Sequence, residues 1–232
     1  HRGYAKNDVK KLQIEHFKQL YEKYKGTPMA VSSESLEHKR LRYEQLSKIF
    51  AGDQQFSIHD VGMGLSDYYA YLKANYPGLD VDYSGSEIVE DYYLESQKRY
   101  PELQFYLRDI SEQPFEDHYD YVVMSGLFHQ RRDIPIRRWE AYAQSLILNS
   151  FTMCKKGVAF NYITPFVDFY QTEVYYCNLP KLLNFIVDHL SRFFVILHNY
   201  ALFEFTVFVY HPEYIKNRYT QPEFQKYFRR VF

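Results

Sequence analysis

Cysteine is scarce in this sequence, and a secretory leader is not apparent. The 232 residues include two cysteines, Cys154 and Cys177, which cannot build a disulfide framework. No apolar leader precedes the first charged residues, although the sequence begins at His1 rather than Met, so a removed leader stays open. We therefore expect a reduced, cytoplasmic protein.

Excess charge and long apolar runs are also absent. There are 28 Lys and Arg against 29 Asp and Glu, a formal net charge of −1, and the arginine doublets are scattered rather than gathered in a stripe. The most apolar stretch, residues 193–210, is broken by His198, Asn199 and Glu204, whereas a membrane span needs about 20 nearly uninterrupted apolar residues. The sequence therefore argues against nucleic acid and against a membrane as partners.

The composition that remains is that of a globular protein. Hydrophobic residues make up 46% of the sequence, and a chain of this length can bury roughly 70–75% of its unfolded surface in one large domain. Disorder and fibrous repeats are thereby excluded. A helical period runs from Val9 to Tyr21, and hydroxyls in residues 32–35 can cap a second helix that ends at 51–52. We divide the chain into a helical extension (1–52), a core (53–211) and an unassigned tail (212–232).

From residue 55 onward, short apolar strands alternate with amphipathic helices, which is typical of a parallel sheet covered on both faces. The predicted strands are 56–61, 79–84, 103–107, 119–125, 157–163, 193–198 and 203–210. The predicted helices between them are 65–74, 88–99, 136–154 and 179–190. The last two strands are joined by too few residues for a parallel crossover, so they should form an antiparallel hairpin. The pattern predicts an α/β fold with a mostly parallel sheet and one antiparallel strand.

Two glycines follow the first predicted strand, within the DVGMG of residues 60–64. They allow a sharp turn and a close ligand, although an ordinary strand-to-helix turn needs the same residues. A dinucleotide site would need a third glycine where Asp67 stands, and a carboxylate there would repel the phosphates. S-adenosylmethionine has no phosphate, and its ammonium and sulfonium groups suit the acidic side chains of Asp60 and Asp67.

Two further acids follow the next two predicted strands. Glu87 lies roughly 20 residues beyond the glycines, where a carboxylate can accept from ribose hydroxyls. Asp109 can accept from an adenine amino group while Ile110 packs on the ring. Taken singly, each acid is more often a solvated loop residue or a helix cap. Together with the glycine turn they point to one crevice, because the carboxyl ends of parallel strands share an edge.

These segments resemble the motifs of class I S-adenosylmethionine-dependent methyltransferases. DVGMGLSDYYAYL (60–72) is similar to the first motif, usually D-V-G-C-G-x-G, and YSGSEI (83–88), LRDI (107–110) and YDYVVMSGLF (119–128) resemble the second, third and fourth. KKGVAFNYIT (155–164) is similar to a subgroup acting on small molecules, in which an Arg-aromatic pair, here Arg42-Tyr43, commonly precedes the core. The similarity covers about residues 27–210.

The resemblance implies a Rossmann-like, seven-stranded sheet and S-adenosyl-L-methionine as cofactor. Independently of it, the aromatic N-terminal helices, Tyr4 and Tyr24 included, could close as a lid over the acceptor pocket. The cofactor-binding residues that the resemblance implies are Arg42, Asp60, Gly62, Gly64, Ser66, Glu87, Asp109, Ile110, Ser125 and Gly126. Gly62 and Gly64 would flank the methionine part, and Ser125 with Gly126 the far side. In this chain Ser66 replaces the usual third glycine and Met63 a small residue. We expect both departures to tighten the loop and lower cofactor affinity, which leaves a non-catalytic member as an alternative.

Methyl transfer to a hydroxyl needs one base near the methyl group, and histidine has a suitable pKa. His129 follows the fourth predicted strand, and His198 lies between the last two. We predict both as candidate bases. The alternative for His129 is a surface loop histidine, and for His198 a turn histidine bonded to a backbone carbonyl.

The acceptor side is predicted around the fifth strand and the loop after the fourth. Asn161, Tyr162, Thr164 and Asp168 could bind a polar acceptor, or could serve only as turn and capping residues. Arg131 and Arg132 could grip an anionic acceptor, although such a pair is more often a solvated loop. No cluster shows metal-ligand spacing, so no metal is expected.

The sequence-based hypothesis is a small-molecule methyltransferase, with O-methylation in natural-product or surface-glycan biosynthesis favoured. The biosynthetic context rests on family analogy alone. An N-methyltransferase, a macromolecular acceptor and a non-catalytic binding protein are the alternatives. The oligomeric state, including a homodimer, stays open.

Overall fold

A computed structural model describes residues 6–30 and 35–229. Seven strands form one sheet in the order β3-β2-β1-β4-β5-β7-β6, in which β7 runs antiparallel to both neighbours. The strands are β1 Gln55–Val61, β2 Asp80–Glu87, β3 Gln104–Leu107, β4 Tyr119–Met124, β5 Cys154–Ile163, β6 Phe194–Leu197 and β7 Glu204–Tyr210. The mostly parallel sheet and its terminal hairpin are thus confirmed.

Seven helices surround the sheet in the described chain. They are α1 Lys6–Tyr24, α2 Leu36–Ser47, α3 Asp67–Asn75, α4 Glu90–Arg99, α5 Ile136–Thr152, α6 Leu179–His189 and α7 Pro212–Lys216, with 3-10 helices at Pro28–Ala30, Lys48–Phe50 and Pro222–Phe228. Of the predicted caps of α2, Ser35 accepts from the backbone N–H of His38 at 3.3 Å. Residues 32–34 lie outside the described part. None of the described helices combines the length and apolar character that crossing a membrane requires.

Strand β2 extends three residues beyond its predicted end at 84. Its last part, Ser84 to Glu87, is small and polar, so strand propensity alone predicts an earlier end. Parallel pairing with Gln104–Leu107 of β3 supplies the backbone hydrogen bonds that keep this part extended. Glu87 is therefore the final residue of the strand rather than a loop residue.

Strand β4 shows why the sheet is buried on both faces. Val122 and Met124 belong to one hydrophobic cluster, with Trp139 of α5, and Tyr121 and Val123 to a second on the opposite face. Because successive side chains of a strand point to opposite faces, one strand serves both layers. The carboxyl ends of β1, β2 and β4 meet at one edge, where the site is built.

Candidate functional site

A cavity of about 330 Å³ lies at the carboxyl edge of the parallel strands. That size falls within the usual range for small-molecule sites. Nine of the ten predicted cofactor residues line it: Arg42, Asp60, Gly62, Gly64, Glu87, Asp109, Ile110, Ser125 and Gly126. The remaining one, Ser66, is not among the lining residues; it is fully buried behind the glycine turn. The structure thus brings residues from four strand ends to one cavity.

The glycine turn, residues 62–64, is hydrogen-bonded to the end of strand β2. The N–H of Gly62 donates to Ser86 O at 2.8 Å, and the N–H of Gly64 donates to Glu87 Oε2 at 2.9 Å. Both glycines have positive φ, +70° and +56°, a conformation that costs a side-chain-bearing residue free energy. The turn therefore needs glycine for its backbone conformation.

Glu87 and Asp60 are buried carboxylates beside this turn. Glu87 Oε1 accepts from the N–H groups of Ile88 and Val89, yet burial outweighs these bonds and raises the pKa of Glu87. Burial also raises the pKa of Asp60 to about 7, although Tyr83 donates a hydrogen bond to Asp60 at 2.6 Å. A bound cation would favour the ionised form of both groups.

Asp109 presents an acceptor without a hydrogen-bonding partner. Its Oδ1 accepts from the backbone N–H and the hydroxyl of Ser111 at 2.9 and 2.7 Å. Its Oδ2 is buried and has no hydrogen-bond partner within the described residues, with Lys10 Nζ 3.5 Å away. A buried acceptor of this kind calls for a donor, and an adenine amino group is one.

Met63, one of the two departures from the family motif, is accommodated by Gly85 of β2. A Cβ built on Gly85 would lie 2.4 Å from Met63 Sδ, so the space that a side chain would fill is taken by the methionine. Met63 is 5% exposed and lines the cavity. The large side chain of Met63 in the turn thus occupies the space left by the absence of a side chain at Gly85 on the neighbouring strand.

A buried polar cluster closes the other end of the cavity, beside Gly126. Arg42 pairs with Glu204 through two nitrogens, with Nε 3.1 Å from Oε2. Asn161 Nδ2 donates to Glu204 Oε2 at 3.2 Å and lies 3.4 Å from His129 Nε2, while its Oδ1 accepts from the N–H of Gly126 at 2.7 Å. His129 Nδ1 lies 3.6 Å from Glu204 Oε1.

Glu204 organises this cluster, and sequence reasoning missed it. Burial alone would raise its pKa, but the nearby His129 and Arg42 and the bonds from Arg42 and Asn161 lower the pKa below its ordinary value. Glu204 appeared in the sequence only as a polar break in an apolar stretch. The available signal was a charge at the start of an otherwise apolar strand, since buried charges are usually paired.

Helices α1 and α2 also contribute lining residues that were not among the predicted site residues. These are Gln13, His16, Phe17, Leu20, Lys39 and Tyr43. The helical extension therefore forms part of the cavity wall. Tyr4, also considered for the lid, lies outside the described residues.

The predicted acceptor residues at and beyond the end of β5 are not among the residues that line the cavity; Asn161 reaches the site through its contact with His129. Tyr162 points to the opposite face and stacks on Phe128 with ring centroids 4.9 Å apart. Thr164 Oγ1 accepts from the N–H of Phe166, and Asp168 is exposed. Thr164 is therefore a turn residue, which was the alternative interpretation, and Tyr162 is a core-packing residue.

The two arginines and the second histidine also lie away from the cavity lining. Arg131 donates to the carbonyls of Ile134 and Thr172, both at 2.7 Å, which fixes the loop after β4. Arg132 donates to Gln13 Oε1 at 2.7 Å and so connects that loop to α1. His198 is exposed on the β6–β7 hairpin. Within the described residues there is no group of three or more His, Cys, Asp or Glu able to hold a metal ion.

Known proteins that are similar to this chain include methyltransferases. No family model matches the chain. Over 156 residues, 66% of this chain and 92% of the relative, it is 27% identical to "Putative methyltransferase Rv1506c" of Mycobacterium tuberculosis. Magnesium protoporphyrin IX methyltransferase (ChlM) from Synechocystis PCC 6803, crystallised with SAM, superposes with a TM-score of 0.57 at 13% identity, covering 91% of this chain and 99% of that one.

Two further structures show the same architecture. The DhpI–SAM–HEP complex has a TM-score of 0.60 at 11% identity over 85% of this chain and 95% of that one. The N-methyltransferase NodS of Bradyrhizobium japonicum WM9, in complex with S-adenosyl-L-homocysteine, has a TM-score of 0.57 at 10% identity over 86% and 98%. At such identities the likeness establishes the fold. The chain has the class I S-adenosylmethionine-dependent methyltransferase fold, as its motifs predicted.

Proposed function

We propose that the protein is an S-adenosylmethionine-dependent methyltransferase that methylates a small molecule, with a hydroxyl oxygen as the favoured acceptor atom. The observation that carries the proposal is the buried Oδ2 of Asp109, which accepts no hydrogen bond from the described residues and lies 3.5 Å from Lys10 Nζ, in the same cavity as Glu87 and the glycine turn. Asp109, Glu87 and the glycine turn, each suited to a different part of one nucleoside, thus line the same cavity.

The residues present fit S-adenosylmethionine. Glu87 would accept from the ribose hydroxyls through Oε2, which keeps a second lone pair after its bond from the Gly64 N–H, whereas Oε1 already accepts from both Ile88 and Val89. Asp109 Oδ2 would accept from the adenine amino group, with Ile110 against the ring. The raised pKa of Asp60 fits a neighbour with positive charge. When bound, the cofactor supplies an electrophilic methyl group.

The chemistry required of the protein is positioning and exclusion of water, with one proton to remove from a hydroxyl acceptor. His129 lines the cavity at the end near Gly126 and is 5% exposed. We assign it as the base. Because Asn161 Oδ1 accepts from Gly126, the amide presents its Nδ2 to His129 Nε2, which favours the imidazole tautomer with its proton on Nδ1, toward Glu204. Nε2 would then take the proton of the acceptor hydroxyl, which would replace the long 3.4 Å contact from Asn161.

The cavity also favours a small acceptor over a macromolecule. Side chains of α1 and α2 line it together with the strand ends, so the space is covered by the chain itself. Natural-product or surface-glycan biosynthesis remains our proposal on family resemblance alone. The two cysteines are free and buried, which suits the proposed reduced, cytoplasmic setting.

The test is calorimetric titration of the purified protein with S-adenosylmethionine, followed by a screen of hydroxyl- and amine-bearing small molecules for formation of S-adenosylhomocysteine. We expect cofactor binding and turnover with a hydroxyl acceptor. Turnover of amines only would replace the O-methylation assignment. Absence of cofactor binding would overturn the proposed function.

A further inference from the structure

Ser66, the second departure from the family motif, adopts a conformation that usually requires glycine. Its φ of 62° and ψ of 32° lie in the left-handed region, although it carries a Cβ. It immediately precedes α3, where a serine in extended conformation would cap the helix. No helix N–H of the described chain donates to the Ser66 hydroxyl. The hydroxyl therefore has another role.

The Ser66 hydroxyl begins a short buried relay. It donates to Ser96 Oγ at 3.0 Å, and Ser96 Oγ donates to the carbonyl oxygen of Gly64 at 3.0 Å. Both serines are completely buried. Ser96 belongs to α4, more than one helical turn beyond the end of β2, so the relay joins the glycine turn to a separate element.

Gly64 is thereby held on both sides of its backbone. Its N–H donates to Glu87 at the end of β2, and its carbonyl accepts from Ser96 of α4. A residue at φ +56° without a side chain has little else to fix it. We infer that Ser96 is a positioning residue, which acts with Ser66 to fix the glycine turn in the orientation that binds the cofactor.

This inference rests on the proposed function and opposes the expectation that Ser66 weakens cofactor binding. The serine supplies a hydroxyl that a glycine lacks, and that hydroxyl orients Ser96 toward Gly64. Ser66, which departs from the family motif, and Ser96, which we infer compensates for that departure, are thus in direct contact.

Ser96→Ala tests the relay, with Ser150→Ala as the matched control. Ser150 is also a completely buried helical serine, but its hydroxyl faces Met124 Sδ at 3.6 Å and makes none of the described hydrogen bonds to the glycine turn. We expect Ser96→Ala to raise the Kd for S-adenosylmethionine about tenfold, equivalent to about 1.4 kcal/mol, because a buried acceptor loses its donor. The KM for the cofactor should rise similarly, with kcat nearly unchanged. Ser150→Ala should leave Kd within about twofold of the wild-type value.

A double variant tests whether the two serines act together. In a Ser66→Gly background, Ser96→Ala should raise Kd less than about threefold, because Ser96 has already lost the neighbour that orients it. A full tenfold effect in that background would show that Ser96 acts without Ser66 and would overturn the relay. If Ser96→Ala does not fold, Ser66→Ala interrupts the relay from the other end and should raise Kd about fivefold.

The outcomes separate this inference from the proposed function. Wild-type binding with an unchanged Kd in Ser96→Ala overturns the inference alone. An equal rise in Kd for Ser96→Ala and Ser150→Ala also overturns it, since a general loss of packing would then be the cause. Failure of the wild-type protein to bind S-adenosylmethionine overturns the proposed function and the inference with it.

Discussion

Single side chains carry the ligand chemistry, and Asp109 shows this most directly. Its two oxygens have different environments: Oδ1 accepts from Ser111, whereas Oδ2 is buried, accepts no hydrogen bond from the described residues and lies 3.5 Å from Lys10 Nζ. An oxygen left unsatisfied in the free protein gains a bond when a ligand amino group arrives, so the group contributes to affinity more than to folding.

Asp109→Asn should therefore weaken S-adenosylmethionine binding by about 1–3 kcal/mol, since one carboxylate oxygen becomes an amide donor facing a donor. Calorimetric titration measures the change. Glu112→Gln is the matched control, because Glu112 also lies near Lys10, at 3.4 Å, but on the exposed side. Equal affinities for Asp109→Asn and the wild-type protein would remove Asp109 from the adenine end of the site.

His129 is the residue on which the acceptor assignment depends. His129→Ala should lower kcat about 10²–10⁴-fold, the usual contribution of a positioned base, while the cofactor Kd changes little. His198→Ala, at an exposed hairpin residue, should retain wild-type turnover. Steady-state kinetics with an identified acceptor measures both. Full activity in His129→Ala would mean that the acceptor needs no base or finds another.

At the level of elements, helix α1 is attached to the core by a few buried polar contacts. The Tyr92 hydroxyl of α4 donates toward Ala30 O at 2.5 Å and Phe17 O at 3.1 Å. Tyr92 also packs edge-on against Tyr21. Since α1 covers the cavity and α4 follows the strand that ends in Glu87, this contact connects the cover to the cofactor side.

Tyr92→Phe should loosen α1 locally. The loss of one buried hydroxyl donor costs about 1–2 kcal/mol, so amides of α1 should exchange hydrogen roughly 5–30-fold faster while those of β4 remain protected. Hydrogen exchange followed by mass spectrometry resolves the two elements. Tyr93→Phe is the control, because the Tyr93 hydroxyl contacts only Gln97 among the hydrogen bonds described, on the exposed side. Unchanged exchange in α1 would show that packing alone retains it.

For the whole molecule, the buried acids make stability depend on pH. The pKa of Asp60 is raised by burial to about 7, and the pKa of Glu87 is raised as well. Between the unfolded pKa of about 3.9 and a pH of about 7, the folded protein holds a proton at Asp60 that the unfolded chain has lost. The contribution of Asp60 to the stability of the ligand-free protein should therefore fall as pH rises through this window, and the free-energy cost of ionising it is fully present above pH 7. Burial lowers the pKa of His59 to about 3, so His59 contributes in the opposite sense below its unfolded pKa of about 6.5.

Asp60→Asn should accordingly raise the Tm of the ligand-free protein more at pH 8 than at pH 5.5, because the wild-type protein must ionise the buried Asp60 only at the higher pH. Because a cation favours the ionised carboxylate, S-adenosylmethionine should bind more tightly at pH 8 than at pH 6 and release protons near pH 7. Calorimetry in two buffers of different ionisation enthalpy counts those protons. No proton release would show that Asp60 does not sense the ligand.

Much of the fold and the cofactor end of the cavity followed from the sequence. Alternating strands and helices predict a parallel sheet, and glycines or acids just after successive strands must share its carboxyl edge. These are local rules, which explains why Gly62, Glu87 and Asp109 were predicted and do line one cavity. The end of β2 was predicted too early because its last residues are held by pairing with β3 rather than by their own propensity.

Only the tertiary structure decided the acceptor end. Arg42 and Glu204 are 162 residues apart in sequence and make a buried ion pair, which no local pattern reveals. Neighbours on a strand point to opposite faces, so Asn161 reaches His129 while Tyr162 enters the core, and the face each takes depends on the register of β5 between β4 and β7. Sequence determined the elements and the chemistry at their ends; packing between distant segments determined which of those side chains meet.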